Sequence, residues 1–150
     1  MAAAAGPQAD CSNFVEYIQK NIALYEFRSS LKLSTKAAVS YVRSELAYAL
    51  RSNPYQVNLL IGGWDKGEGA SLHFMDYIAS STQTNFGAQG YAGYFILSTM
   101  DRHWKPKLSL EEGKELARKC IKELQTRFML HQPNFVVKVA DEAGVRVEAL

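Results

Sequence analysis

Apolar residues fall into helical spacing along parts of the chain and into alternation along others, and the changes of period mark the elements. Asn13 is followed three positions on by Glu16, so a helix is predicted from Asn13, with Phe14, Ile18, Ile22 and Tyr25 on one face, to about Arg28. Ser34 or Thr35 caps a second helix with the stripe Ala38, Val42, Leu46 and Ala49, and Asn53-Pro54 stops it. From Gln56 the period shortens. Val57, Leu59 and Ile61 alternate with their neighbours, and Gly67-Glu68-Gly69 separates this run from Ser71 to Tyr77, which reads as a hairpin.

A polar loop, Ser80 to Asn85, leads through Gly87 and Gly90 to a helix over Tyr91 to Trp104, closed by Lys105-Pro106. Ser109 and Glu112 form a second capping box. It opens the longest helix, which carries Leu116, Cys120, Leu124 and Phe128, pairs Lys119 with Glu123 on its wet face, and ends near Leu130. Phe135, Val137 and Val139 alternate, Asp141 to Gly144 turns, and Val145 and Val147 alternate again, predicting a terminal hairpin. Helix, helix, hairpin, helix, helix, hairpin is an α+β order, with helices on the faces of a mainly antiparallel sheet system.

The 150 residues correspond to one compact unit, and 47% hydrophobic with 21% charged residues excludes a disordered chain. The 17 Lys and Arg against 15 Asp and Glu leave a formal charge of +2, and the basic residues never form a block, so no nucleic-acid partner is expected. No apolar run approaches the ~20 residues that cross a bilayer, so no membrane partner is expected either. Met1 to Ala5 lacks the basic start of a signal sequence, the first basic residue being Lys20. Two cysteines, Cys11 and Cys120, with no C-x-x-C spacing fit reduced thiols. Together these point to a cytoplasmic and nuclear protein.

His73, His103 and His131 have no second ligand at metal spacing, so neither metal nor cofactor is expected. His73 and Asp76, three apart on a strand, point to opposite faces and make no acid/base pair. Cys120 lies on an apolar stripe and reads as a packing residue. Gly87-x-x-Gly90-x-x-Gly93 admits two readings, a phosphate cradle or a tight loop, with neither a leading strand nor a following Gly-Lys-Ser/Thr to favour the first. Asp101-Arg102 is read as a local ion pair or helix end, with a functional pair as the alternative. The residues alone describe an α+β domain with no visible active site.

The order of elements, together with Glu16-Tyr17-Ile18-Gln19-Lys20-Asn21, Pro54 to Leu60, Met75-Asp76-Tyr77, Gly90-Tyr91, Met100-Asp101-Arg102 and the helix through Lys119-Cys120 to Arg127-Phe128, resembles the β subunits of the 20S proteasome core. Within that family the likeness is to the branch that fills the fourth position of the β ring. It covers Cys11 to about Glu148 and sets residues 1–10 apart as a non-family segment. The resemblance implies a four-layer αββα sandwich of the N-terminal nucleophile hydrolases, here truncated at its start. Active members begin with a threonine on N-terminal hairpins that this chain does not match, and Thr35 and Thr99 are internal.

Two further signatures of active members are altered. G-S-G-S reads Gly90-Tyr91-Ala92-Gly93, and R-D-x-x-S reads Arg127-Phe128-Met129-Leu130-His131, so that Tyr91, Phe128 and His131 stand at changed active-site positions. The implied role is a non-catalytic structural subunit that packs with the other proteasome α and β subunits and supports ATP- and ubiquitin-dependent protein degradation. Two alternatives stay open: a variant product that does not enter the particle, and an active threonine peptidase subunit. Outside a complex, the truncated chain is expected to aggregate.

Overall fold

A computed structural model describes residues Met1–Leu150 and divides them into two compact units, Met1–Asn85 with Ala140–Gly144, and Phe86–Val139 with Val145–Leu150. The first unit opens with a strand that the sequence pattern does not announce. Four alanines, β1 (Ala2–Ala5), pair antiparallel with β2 (Asn58–Asp65), Ala2 facing Ile61 and Ala5 facing Asn58. Alanine methyls carry no alternation, so only the partner strand reveals this element. β2 continues into β3 (Gly69–Met75), and β4 (Ser81–Thr84) completes an antiparallel sheet in the order β1-β2-β3-β4. The segment expected as a polar loop thus contains an edge strand, whose Ser, Thr and Gln side chains suit a solvated edge and hide it from a search for apolar alternation. Asp76 lies past the end of β3, where its carboxylate accepts from the amides of Ile78 (3.2 Å) and Ser80 (2.9 Å).

Helix α1 (Gln8–Ser29) begins five residues before the expected cap at Asn13, and Pro7 is its N-cap, with Cys11 N donating to Pro7 O at 3.0 Å. Proline preorganises a helix start, and Glu16 turns away from Asn13 to pair with Lys20. Asp10 in the first turn accepts from Gln56 N at 3.0 Å, tying the helix to the entry of β2. Helix α2 (Thr35–Ala49) is capped by Ser34, whose hydroxyl accepts from Ala37 N at 3.2 Å, and stops at Leu50, before Asn53-Pro54. Both oxygens of Asp65 accept from Thr35 N, at 3.1 and 2.9 Å, so a carboxylate at the end of β2 meets the positive end of the α2 dipole. Phe14 and Ile18 of α1 and Val39, Val42 and Leu46 of α2 pack with Val57, Leu59, Ile61 and Met75 in one core. Tyr17 joins the two helices at the surface through a 2.8 Å hydrogen bond to Glu45, whose carboxylate pushes the phenol up to about 12.

The second unit holds α3 (Gly93–His103) and α4 (Leu110–Arg127); near the C-terminus β5 (Val137–Asp141) and β6 (Gly144–Glu148) form a two-stranded sheet whose turn, Ala140–Gly144, is counted with the first unit. The capping box of α4 is formed as expected. Ser109 Oγ accepts from Glu112 N at 3.3 Å, and Glu112 accepts from Ser109 N at 2.8 Å and pairs with Lys105 at 2.6 Å. These contacts, Lys105 first, hold the Glu112 carboxyl down at about 2. Ile96, Cys120 and Leu124 form the buried centre, with Phe95, Leu116, Phe128 and Phe135 packed round it. The helix ends at Arg127, short of Leu130. Glu123 pairs with Arg127 at 2.7 Å, where Lys119 had been expected. An acid four residues before a base is the favoured orientation on a helix, and Lys119 would reverse it.

Two consequences can be measured. A Cβ on Gly63 would lie 2.2 Å from Thr35 Oγ1 and 3.1 Å from its Cβ and Cγ2, whereas one on Gly113 would meet nothing within 4 Å. In thermal melts Gly63→Ala should therefore cost about 1–3 kcal/mol, and Gly113→Ala, inside a helix, should gain about 0.5–1 kcal/mol. Secondly, the folded Glu112 carboxyl lies below its ordinary 4.5, so its stabilisation is complete above about 4.5 and is lost as pH falls toward 2. The difference in Tm between the natural chain and Glu112→Gln should accordingly be largest near neutral pH and close under acid.

Candidate functional site

Gly90 takes φ 72° and turns the extended chain at Gln89 into a short 3₁₀ turn, Gly90–Ala92, that runs into α3. This geometry puts the Tyr91 ring over Phe128, the residue that ends α4: the centroids lie 6.0 Å apart at 28°, and Phe128 lies 5.3 Å from Phe95. Two of the three positions singled out by the family resemblance thus meet, although they are far apart in sequence. Tyr91 remains largely exposed and Phe128 half-buried, its inner side against the α3–α4 core. The third, His131, is exposed on the segment after α4 and is not part of the ring contact.

The chemistry available at this contact is apolar. Phenylalanine offers no hydrogen bond and tyrosine a single hydroxyl, so the contact contains neither a carboxylate nor an imidazole. The neighbouring thiol of Cys120 is buried, and that burial, with the Glu123 charge, pushes it up and keeps it protonated. Glycine-rich 87–93 forms a tight turn in which Gly93 N donates to Gly90 O and Tyr91 O. Asp101 and Arg102 are exposed at the end of α3 and do not pair with each other, while His103 Nδ1 lies 2.9 Å from Thr99 O. His73 is half-buried in β3 and Asp76 is engaged in its turn.

One grouping escapes a sequence search. Basic residues interleaved with acids along the chain converge where α3 faces α4, since Arg102 and His103 come from one helix and Lys119, Lys122 and Arg127 from the other. Helical spacing within 119–127 is the only trace of it in the sequence.

The proteasome subunit family model matches residues 1–140. The chain belongs to the proteasome subunit family. The match begins at Met1 and so takes in β1. Curated relatives include proteasome subunit beta type-2-B of Arabidopsis thaliana, 51% identical over 97% of this chain and 73% of the relative. Proteasome subunit beta type-2 of Dictyostelium discoideum is 45% identical over 95% of the chain and 73% of its own length. A yeast relative, proteasome subunit beta type-4 of Saccharomyces cerevisiae, is 42% identical over 95% and 73%. Similarity at this level across nearly the whole chain makes this proteasome-family chain a homologue of β-type subunits, with a mixed α and β fold. No helix of it is long and apolar enough to cross a membrane.

The ring contact has a measurable weight. A fully buried phenylalanine costs ~3–5 kcal/mol on truncation to alanine; half-buried Phe128 should cost about 1–3 kcal/mol. Phe128→Leu should recover most of it in denaturant titrations, and an unchanged midpoint for Phe128→Ala would show that the ring contributes no packing.

Proposed function

We propose that the chain serves as a non-catalytic, structural β subunit of the 20S proteasome core particle, in the type-2 branch at the fourth position of the β ring. Its work is to pack with the other α and β subunits so that the catalytic members enclose their chamber, supporting ATP- and ubiquitin-dependent protein degradation in cytoplasm and nucleus. The names of the relatives support the subunit assignment. The Tyr91–Phe128 ring contact carries the non-catalytic half of the reading. It lies where active members are expected to hold a serine hydroxyl and an aspartate carboxylate that support the threonine nucleophile, and His131 replaces a further serine. Aromatic rings in those places remove the hydrogen-bond partners that would orient a nucleophile and its base.

The four-layer αββα sandwich belongs to the same proposal.

Two measurements test this. Core particles purified from cells that express a tagged chain should yield its peptides by mass spectrometry, and their absence from assembled particles would defeat the subunit role. The purified chain should release no fluorophore from peptide substrates above buffer rate. Hydrolysis blocked by a threonine-directed inhibitor would overturn the non-catalytic reading.

A further inference from the structure

A groove of about 640 Å³ runs where α3 faces α4, lined by Arg102 and His103 on one side and Lys119, Lys122, Glu123 and Arg127 on the other. Four full positive charges meet one carboxylate, and that carboxylate is already engaged by Arg127 at 2.7 Å. Arg102, Lys119 and Lys122 are exposed and have no ion pair of their own. Such a concentration is out of proportion to a chain whose whole formal charge is +2. Like charges gathered on one surface repel, and the cost is relieved when an anion is seated among them. Tyr94, 87% exposed, stands in the same groove and offers the amphipathic ring common at protein contacts.

We propose that this α3–α4 groove is a docking site for an acidic segment of a partner protein, whose Asp and Glu side chains pair with Arg102, Lys119 and Lys122. The site is a short cleft with an aromatic rim, which fits a peptide segment; a nucleic acid would call for a long basic track following a backbone. The inference rests on the subunit reading above in one respect, that the partner is taken to be another chain of the particle.

Zero-length carbodiimide coupling of purified particles containing the chain joins an amine to a carboxylate only at ion-pair range. It should give peptides in which Lys119 or Lys122 is linked to an Asp or Glu of another chain. Coupling of these lysines only within their own chain, to Glu123 for example, or none at all, would overturn the proposal. In cells that also make the natural chain, Lys119→Glu/Lys122→Glu should enter particles several-fold less than Lys119→Arg/Lys122→Arg, which keeps the charge and controls for folding; equal entry would count against the groove. If the natural chain itself never enters particles, the subunit reading fails separately, and the groove is then tested on the full chain alone. Fluorescence anisotropy should there show a labelled Asp/Glu-rich dodecapeptide binding at least ten-fold tighter than its Asn/Gln counterpart, with loss of binding at high salt. Equal binding of the two peptides, or preferential binding of a single-stranded oligonucleotide of the same charge, would overturn it.

Discussion

The first unit depends on how closely α2 can approach β2 at one point. Asp65, at the end of the strand, places both carboxylate oxygens on the amide of Thr35, the first residue of the helix, while the Ser34 hydroxyl accepts from the amide of Ala37. Gly63 makes the approach possible because any side chain there would occupy the space of the Thr35 hydroxyl. The contact therefore joins charge and dipole attraction to a steric permission, and neither works without the other. Once α2 is seated, Val39, Val42 and Leu46 reach Leu59 and Ile61, and α1 can close the core from Phe14 and Ile18. The second unit is organised differently. There the start of α4 is held by its own capping box and Lys105, and the packing follows from the stripe at Cys120 and Leu124.

What could be read in advance follows from this contrast. Local chemistry was legible: the Ser109–Glu112 box, the cap at Ser34, the hairpin of β2 and β3, and the terminal hairpin all lie where spacing and turn residues place them. Elements whose signal lies in a partner were not. β1 has no alternation of its own, β4 is polar because it is an edge, and α1 starts at Pro7 because a proline cap competes successfully with the Asn13 box. At the candidate site the identities of Tyr91, Phe128 and His131 could be picked out only through family resemblance. Their arrangement was not legible, since the ring contact needs Gly90 to redirect the chain and α4 to stop at Arg127. The basic groove was missed for the same reason: its charges are scattered among acids in sequence and gathered only by the pairing of two helices.

Replacing polar groups by rings changes what a fold must spend its stability on. A hydroxyl and a carboxylate held for chemistry are desolvated in part and must be oriented by neighbours, which costs stability. In the proposed structural role Tyr91 and Phe128 impose no such cost, because ring packs against ring with no hydrogen-bond partner to orient.

The alanine strand has an informational consequence. In β1 both faces present the same methyl group, so a one-residue slip against β2, which in an ordinary strand would turn its core side chains out to water, alters almost nothing in β1 itself. The strand cannot encode its own alignment. Alignment has to come from outside it, from Gly6, where a Cβ would collide with Gln56 O at 2.1 Å, and from Asp10, which holds Gln56 N one turn into α1. Positions 2–5 are accordingly a neutral spacer in the coding sense, free to drift among small residues, while the specification of where the strand lies is written in the two residues that anchor the helix behind it.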